Sequence, residues 1–280
     1  MSYQNFKAKI WAKKVDRELE PALVFADGVN KEYSGQINGL GDTVRILGVG
    51  KPTITEHILQ NGDITLSTPE KISDTSVSLV VDHAAYYNFA VGDIDQIQGA
   101  GKVMSIHTQD AAFEVANTID KFIADLAKGT VGVQKYSGSN TVITSANVMS
   151  VFDGVQQKLY ENNVSPSTPV EIILPPWLYM VFRQAYQTKD TDNSEYLTNG
   201  KVGRYGNMVI KMSNNVALNA SSHHLVQVRT KNAIALAMSE SHVEPYRPES
   251  SFSDAVKGFK LYGAKIVRPK ELVVLECSAS

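Results

Sequence analysis

The chain has 280 residues, 43% hydrophobic and 20% charged, the composition of a folded globular protein and not of a disordered one, which lacks the apolar surface to offset ordering entropy. Its 27 basic and 29 acidic side chains leave a formal charge of −2, so no overall positive field draws it onto nucleic acid. One cysteine, Cys277, excludes an internal disulfide, and no apolar run reaches the ~18 residues of a membrane-spanning helix.

Residues 1–19 interleave Lys7, Lys9, Lys13 and Lys14 with Phe6, Ile10, Trp11 and Val15 at helical spacing. This is either a surface helix on its own domain or an arm that docks elsewhere. It lacks the continuous apolar core of a signal peptide, so synthesis and folding in a reducing cytoplasm are expected. Asp16, Glu18 and Glu20 are mixed into the basic residues, which leaves room only for weak, non-specific phosphate contact. Pro21 opens a further helical turn over 22–25.

From Val29 to Phe89 the pattern becomes β. Strands are expected over 42–49, 53–59 and 76–81, separated by Gly48, Gly50, Pro52 and the Asn61-Gly62 pair. The stretch between Val49 and Ser76 is polar and poor in large core residues. It reads as a projecting hairpin, an element that needs a partner surface to be stable.

The longest helical signal covers 105–128. Ala112, Val115, Ala116, Ile119, Phe122, Ile123 and Leu126 form one stripe, with His107, Gln109, Asp110, Glu114, Asp120 and Asp125 mostly off it. Gly129 is placed to stop the helix. Ser145 is read as the cap of the next helix, whose apolar face is Val148, Val151, Phe152, Val155 and Leu159, weakened by Gly154. A turn over 164–168, a buried strand over 170–174 and a helix opened by Pro175 and Pro176 follow, with Leu178, Val181, Phe182 and Ala185 as its core face. Residues 188–199 read as a polar loop, and strands are expected over 208–212, 225–229, 233–237, 257–267 and 272–277. Strands before, between and after helices define an α+β fold.

Motifs for chemistry are weak. Gly48-Val-Gly-Lys51 fails as a phosphate loop, because Arg45 stands where glycine is needed and Pro52 follows the lysine. Residues 200–206 lack the spacing of a dinucleotide-binding turn and read as a loop leading into a strand. Adjacent His223 and His224 point to opposite faces of a strand, a poor arrangement for one metal. Asp93 and Asp95 alternate as in a calcium loop whose glycine and closing glutamate are missing, so capping or a surface turn is expected. A cytosolic hydrolase using Ser222, His224 and an unplaced acid is a third-ranked reading.

Several stretches together resemble the major capsid protein of tailed bacteriophages: Val15-Asp-Arg-Glu-Leu-Glu-Pro-Ala-Leu-Val-Phe25 with Val29-Asn-Lys-Glu-Tyr33 and Gly41-Asp-Thr-Val-Arg-Ile46, then Tyr87-Asn-Phe-Ala-Val-Gly-Asp-Ile-Asp-Gln96, Gly206-Asn-Met-Val-Ile-Lys-Met-Ser-Asn-Asn215, Ala233-Ile-Ala-Leu-Ala237, Glu244-Pro-Tyr-Arg-Pro-Glu249, Phe252 to Lys257, and Leu261-Tyr-Gly-Ala-Lys-Ile-Val-Arg-Pro269. Their order and spacing over nearly the whole chain carry the likeness.

The resemblance implies the shell fold that coat proteins share with encapsulins and the herpesvirus capsid floor. Residues 1–34 are then an N-terminal arm, 35–82 the extended β-hairpin loop, and 83–144 a peripheral domain with its spine helix. Residues 145–240 are an axial domain, and 241–280 return to the peripheral β-sheet. The implied function is assembly, as hexamers and pentamers, into an icosahedral shell around double-stranded DNA, with an encapsulin-type compartment around a cargo enzyme as the runner-up. Implied partners are the chain itself, a separate scaffolding protein, the portal, and packaged DNA through weak non-specific contact, with no membrane. The place is the virion capsid, assembled in the host bacterial cytoplasm. No catalytic, cofactor-binding or metal-binding residue is assigned. Some members cross-link through Lys and Asn; no motif maps those positions here, and Lys51 and Lys71 are read as exposed lysines.

Overall fold

The computed structural model describes residues 24–34, 42–49, 53–54, 56, 68–69, 74–93, 103–129, 133–187, 203–239 and 241–279. The arm helix over 1–19, the Asn61-Gly62 turn, Lys51, Lys71, Asp95 and the loop 188–199 lie outside them. So does most of the strand expected over 53–59, of which Thr53, Ile54 and Glu56 are described and lie in no strand.

A four-residue helix, α1 (Val24–Asp27), precedes the first hairpin, in which β1 (Thr43–Val49) runs antiparallel to β2 (Asp74–Val80) with Thr43 opposite Val80. Two residues later β3 (His83–Gly92) begins. It alternates strictly enough to bury Ala85 and Val91 while exposing Ala84, Tyr86, Asn88 and Ala90, the pattern of a strand covered on one face. Its cover is α2 (Val103–Asp125), ~35 Å long at 1.5 Å per residue. Along α2 the expected stripe buries Ala112, Val115, Ala116, Ile119 and Ile123. Phe122, half-buried, lies 4.3 Å from the His83 ring and 5.3 Å edge-on to Tyr262. The helix tightens into a 3-10 turn over Leu126–Lys128 and stops at Gly129, whose backbone is extended. The expected stop is therefore there, but it does not use the left-handed conformation that favours glycine.

A second layer is built on β6 (Val170–Leu174). It lies between β8 (Met208–Met212), parallel to it, and β9 (His224–Thr230), antiparallel. β7 (Arg204–Tyr205) joins β8 through a two-residue turn at Gly206 and Asn207. Gly206 has φ +58, the positive φ that tight hairpins require. Residues 200–206, read as a loop, thus contribute a short strand at their end. α3 (Val148–Glu161) and α4 (Pro176–Gln187) pack on this sheet, with Phe152 and Phe182 stacked 5.1 Å apart and fully buried.

The cap of α3 differs from expectation. Asn147, not Ser145, precedes the helix. Its Oδ1 accepts the Thr144 N–H at 2.8 Å and its Nδ2 donates to the Val142 carbonyl, so it closes the turn before the helix. Gly154 also has a positive role: a Cβ there would lie 2.6 Å from the Tyr136 hydroxyl.

Strand pairing departs from the expected segments. β12 (Ser253–Ile266) does pair with β3 along its length, and on its other side takes β11 (His242–Tyr246) and β10 (Ile234–Met238). β10, expected in the axial segment, therefore belongs to the β3 sheet. β13 (Leu272–Ala279), expected to return to that sheet, instead pairs antiparallel with β9 and parallel with β4 (Gln134–Lys135) and β5 (Thr141–Ile143). The physical reason is burial. Leu272, Val273, Val274 and Leu275 are all fully buried, which suits a strand inside the larger sheet with both faces covered.

Candidate assembly surfaces

The segment that carries the arm is fastened by buried charge. Asp120, on α2, is 1% exposed and accepts the backbone N–H groups of Val24, Phe25 and Ala26. These are the first donors of α1, which have no partner within the helix. From the other side Arg229, on β9 and fully buried, donates Nη2 to the Phe25 carbonyl at 2.5 Å and Nη1 to Gln227 Oε1 at 3.0 Å. Gln227 Nε2 in turn donates to the Ile123 and Ala124 carbonyls near the end of α2. Lys211 on β8 reaches Glu171 at 2.9 Å and Asp27 at 3.4 Å. Asn30 then bridges to β10: its N–H donates to the Ile234 carbonyl and its carbonyl accepts from the Leu236 N–H. Residues 24–30 thus tie the spine helix to both sheets.

Burial pushes the Arg229 guanidinium down to about 10, against the opposing pull of Glu171 and Asp120, so it stays charged at neutral pH. Burial raises the Asp120 carboxyl, and the three N–H bonds only partly oppose this. Sequence reasoning missed this cluster. The signal was two polar residues, Gln227 and Arg229, alternating inside an apolar strand, and an acid beside Ile119 on the helix stripe.

The hairpin is fixed at its base. Leu79 and Val81 are fully buried against Ala235 and Ala237, with Tyr33, Ile46, Leu261 and Val267 around them. Lys265 Nζ donates to the Ser78 carbonyl at 2.8 Å. The base of the hairpin thus belongs to the subunit body, while most of the stretch between Val49 and Ser76, read as poor in core residues, lies outside the described residues.

Beyond that seat the sheet face opposite α2 is open. Tyr86 is 80% exposed and stands directly opposite Phe259, whose ring lies 5.3 Å from His242 on the next strand. At the end of the sheet Phe252 is 91% exposed. Its loop is braced by Arg247, which holds Asp93 through both carboxylate oxygens and Asp254 at 2.9 Å. Asp93, set aside as half of a broken calcium pattern, is thus an ion-pair partner. Tyr86 and Phe259 on this face, and Phe252 at its end, are the candidate contact residues of the subunit.

The residues of the hydrolase reading are not joined. Ser222 sits in a turn at φ 61, its N–H bonded to the Asn219 carbonyl. His224 takes the Trp177 indole N–H at 3.3 Å, while the nearby acid, Glu276, pairs with His223 at 3.0 Å and with Asn219 at 2.6 Å. A recess of about 390 Å³ beside Glu276 is lined by Lys128, Lys135, Leu218 and Leu225 among others, and by neither Ser222 nor His224. Among the described residues no cluster of three or more His, Cys, Asp or Glu gathers to hold a metal, and no helix is long and apolar enough to cross a membrane.

His224 gives the subunit an acid sensitivity. Burial lowers the His224 pKa, so its unfolded form, near 6.5, takes a proton first. The stability that a neutral His224 contributes is complete above pH 6.5 and is lost as pH falls towards the lower folded value. Glu276 is held below its usual range, chiefly by the His223 hydrogen bond, and its contribution disappears below about pH 4.5. Asp120, raised, acts in the opposite sense. Relative to His224→Phe, the urea midpoint of the parent is expected to fall between pH 7 and 5, since the variant has lost this one titration. An unchanged profile in the variant contradicts the assignment.

No protein-family model matches the chain, and neither does any curated protein. Solved structures do match. A structure from Mycobacterium phage Che8 superposes with TM-score 0.74 at 26% identity, covering 90% of each chain. The capsid structure of the cyanophage P-SCSP1u gives 0.70 at 16% identity, over 92% of this chain and 89% of the other. A virus-like particle from Pyrococcus furiosus gives 0.63 at 12% identity, over 96% and 99%. The chain has the α+β shell fold of phage capsids.

Proposed function

We propose that the chain is the major capsid protein of a tailed phage, assembling as hexamers and pentamers into an icosahedral shell around double-stranded DNA. The observation that carries this is the likeness of fold over about nine-tenths of both chains to phage capsid structures. The open aromatic face and the braced Phe252 loop support it, since a shell subunit must present large surfaces to its copies. The proposed divisions are an arm over 1–34, an extended hairpin over 35–82, a peripheral domain over 83–144 with 241–280, and an axial domain over 145–240, adjusted so that β10 goes with the peripheral sheet it pairs in and β4, β5 and β13 with the axial one. The proposed partners are further copies, a separate scaffolding protein, the portal, and DNA through weak non-specific contact. The proposed location is the virion, after assembly in the host cytoplasm.

The second reading is an encapsulin-type compartment, favoured by the match to the Pyrococcus furiosus particle. Particles produced in the native host separate the two. Nuclease-treated shells that retain long double-stranded DNA support the phage reading, and shells that retain a protein cargo and no DNA overturn it.

A further inference from the structure

We propose that Gly263 and Lys265 form the seat that sets the angle at which the β1–β2 hairpin leaves the subunit, and so the curvature of the assembled shell; this rests on the capsid reading. Gly263 is opposite Ala237 in the β10–β12 pairing, and Lys265 is opposite Ala235. Directly paired residues share a face, so Gly263, Ala237 and Ala235 make a floor of minimal side chains. Leu79 and Val81 rest on it.

The closest approach is at Gly263. A Cβ there would lie 2.2 Å from the Val80 carbonyl oxygen and 3.0 Å from the Val81 Cα. Both are backbone atoms, which cannot rotate aside. Its φ is not in the left-handed region, so what glycine supplies here is space. A methyl group at 263 must lift residues 80–81, where the hairpin turns into β3, because only Val81 and Asp82 separate β2 from β3. Lys265 holds the same strand from the side through the Ser78 carbonyl. A small rotation at this base is amplified along β1 and β2, because the pivot lies at one end of their seven paired residues.

The test uses the full chain with spin labels at Ser76→Cys, on the exposed side of the hairpin, and Gln109→Cys, on the spine helix. Cys277 is buried and its thiol is pushed up to about 12, so it stays unlabelled at neutral pH. Gly263→Ala is expected to shift the distance between the labels and to replace closed shells with open or misshapen assemblies. Lys265→Met, which adds no bulk at the seat, is expected to broaden the distance distribution without unfolding the subunit. A folded Gly263→Ala that gives the parental distance and parental shells overturns the proposal. If Gly263→Ala does not fold, Lys265→Met decides: a broadened distribution supports the seat, and an unchanged one overturns it. Failure of the parent chain to assemble counts against the capsid reading instead, since the distance measurement needs no assembly.

Discussion

Arg229→Ala lowers the unfolding free energy of the subunit by about 3–5 kcal/mol, the range for removing one partner of a buried ionic cluster. Arg229 is fully buried, and its charge faces Asp120 and Glu171. Without it, the two carboxylates lose their buried cation, and the Phe25 carbonyl and the Gln227 side chain each lose a donor. A further loss comes from packing, since the guanidinium lies over the Phe25 ring at 5.6 Å. Arg229→Met keeps most of the volume but not the charge, so it remains strongly destabilised. Adding Asp120→Asn to Arg229→Met recovers part of the loss, because one uncompensated charge is gone while an amide oxygen still faces the α1 donors. Urea denaturation of the parent, Arg229→Met, Asp120→Asn and the double variant measures the coupling. Equal stability in parent and Arg229→Ala contradicts the cluster as described.

Replacing residues 50–73 with a two-residue turn leaves the subunit folded and abolishes shell formation. The cut falls beyond Val49 and before Asp74, so every β1–β2 pair and the seat under Leu79 and Val81 survive. A two-residue connection suits the twist of an antiparallel pair. The expected stability change is therefore small, while the loss of assembly is complete if the excised part reaches a neighbouring copy. Circular dichroism and denaturation report the first, and sedimentation the second. A shortened chain that still closes shells contradicts the role given to the hairpin. One that unfolds places residues 50–73 in the core.

The contrast between these two sites explains what was legible in the sequence. Local period gave the elements: the α2 stripe, the α3 face from Val148 to Leu159 and the buried run Val170–Leu174 all lie where the residues put them. Pairing across long separations was not readable. Nothing in the run Leu272–Leu275 says that its neighbour is β9 and not β3, because either strand satisfies its backbone. The polar residues were misjudged for the same reason. Asp120 looked like a solvated position on its own helix, and its burial comes from α1, about 95 residues away. Gly154 looked like a weakness, and it is space for Tyr136. Ser145 looked like a cap because propensity favours serine there, whereas Asn147 closes the turn by bonding two backbone groups. The assembly surfaces were legible only through the resemblance, since exposed aromatics such as Tyr86 and Phe252 carry no periodic signature of their own.

A capsid subunit must close on copies of itself. Negative-stain electron microscopy of the purified protein, incubated with and without a crowding agent and sized by light scattering, is the measurement to make first. Closed shells of uniform diameter, built from rings of five and six, are expected. A population that remains a 30.6 kDa monomer or a dimer under every such condition contradicts the capsid reading.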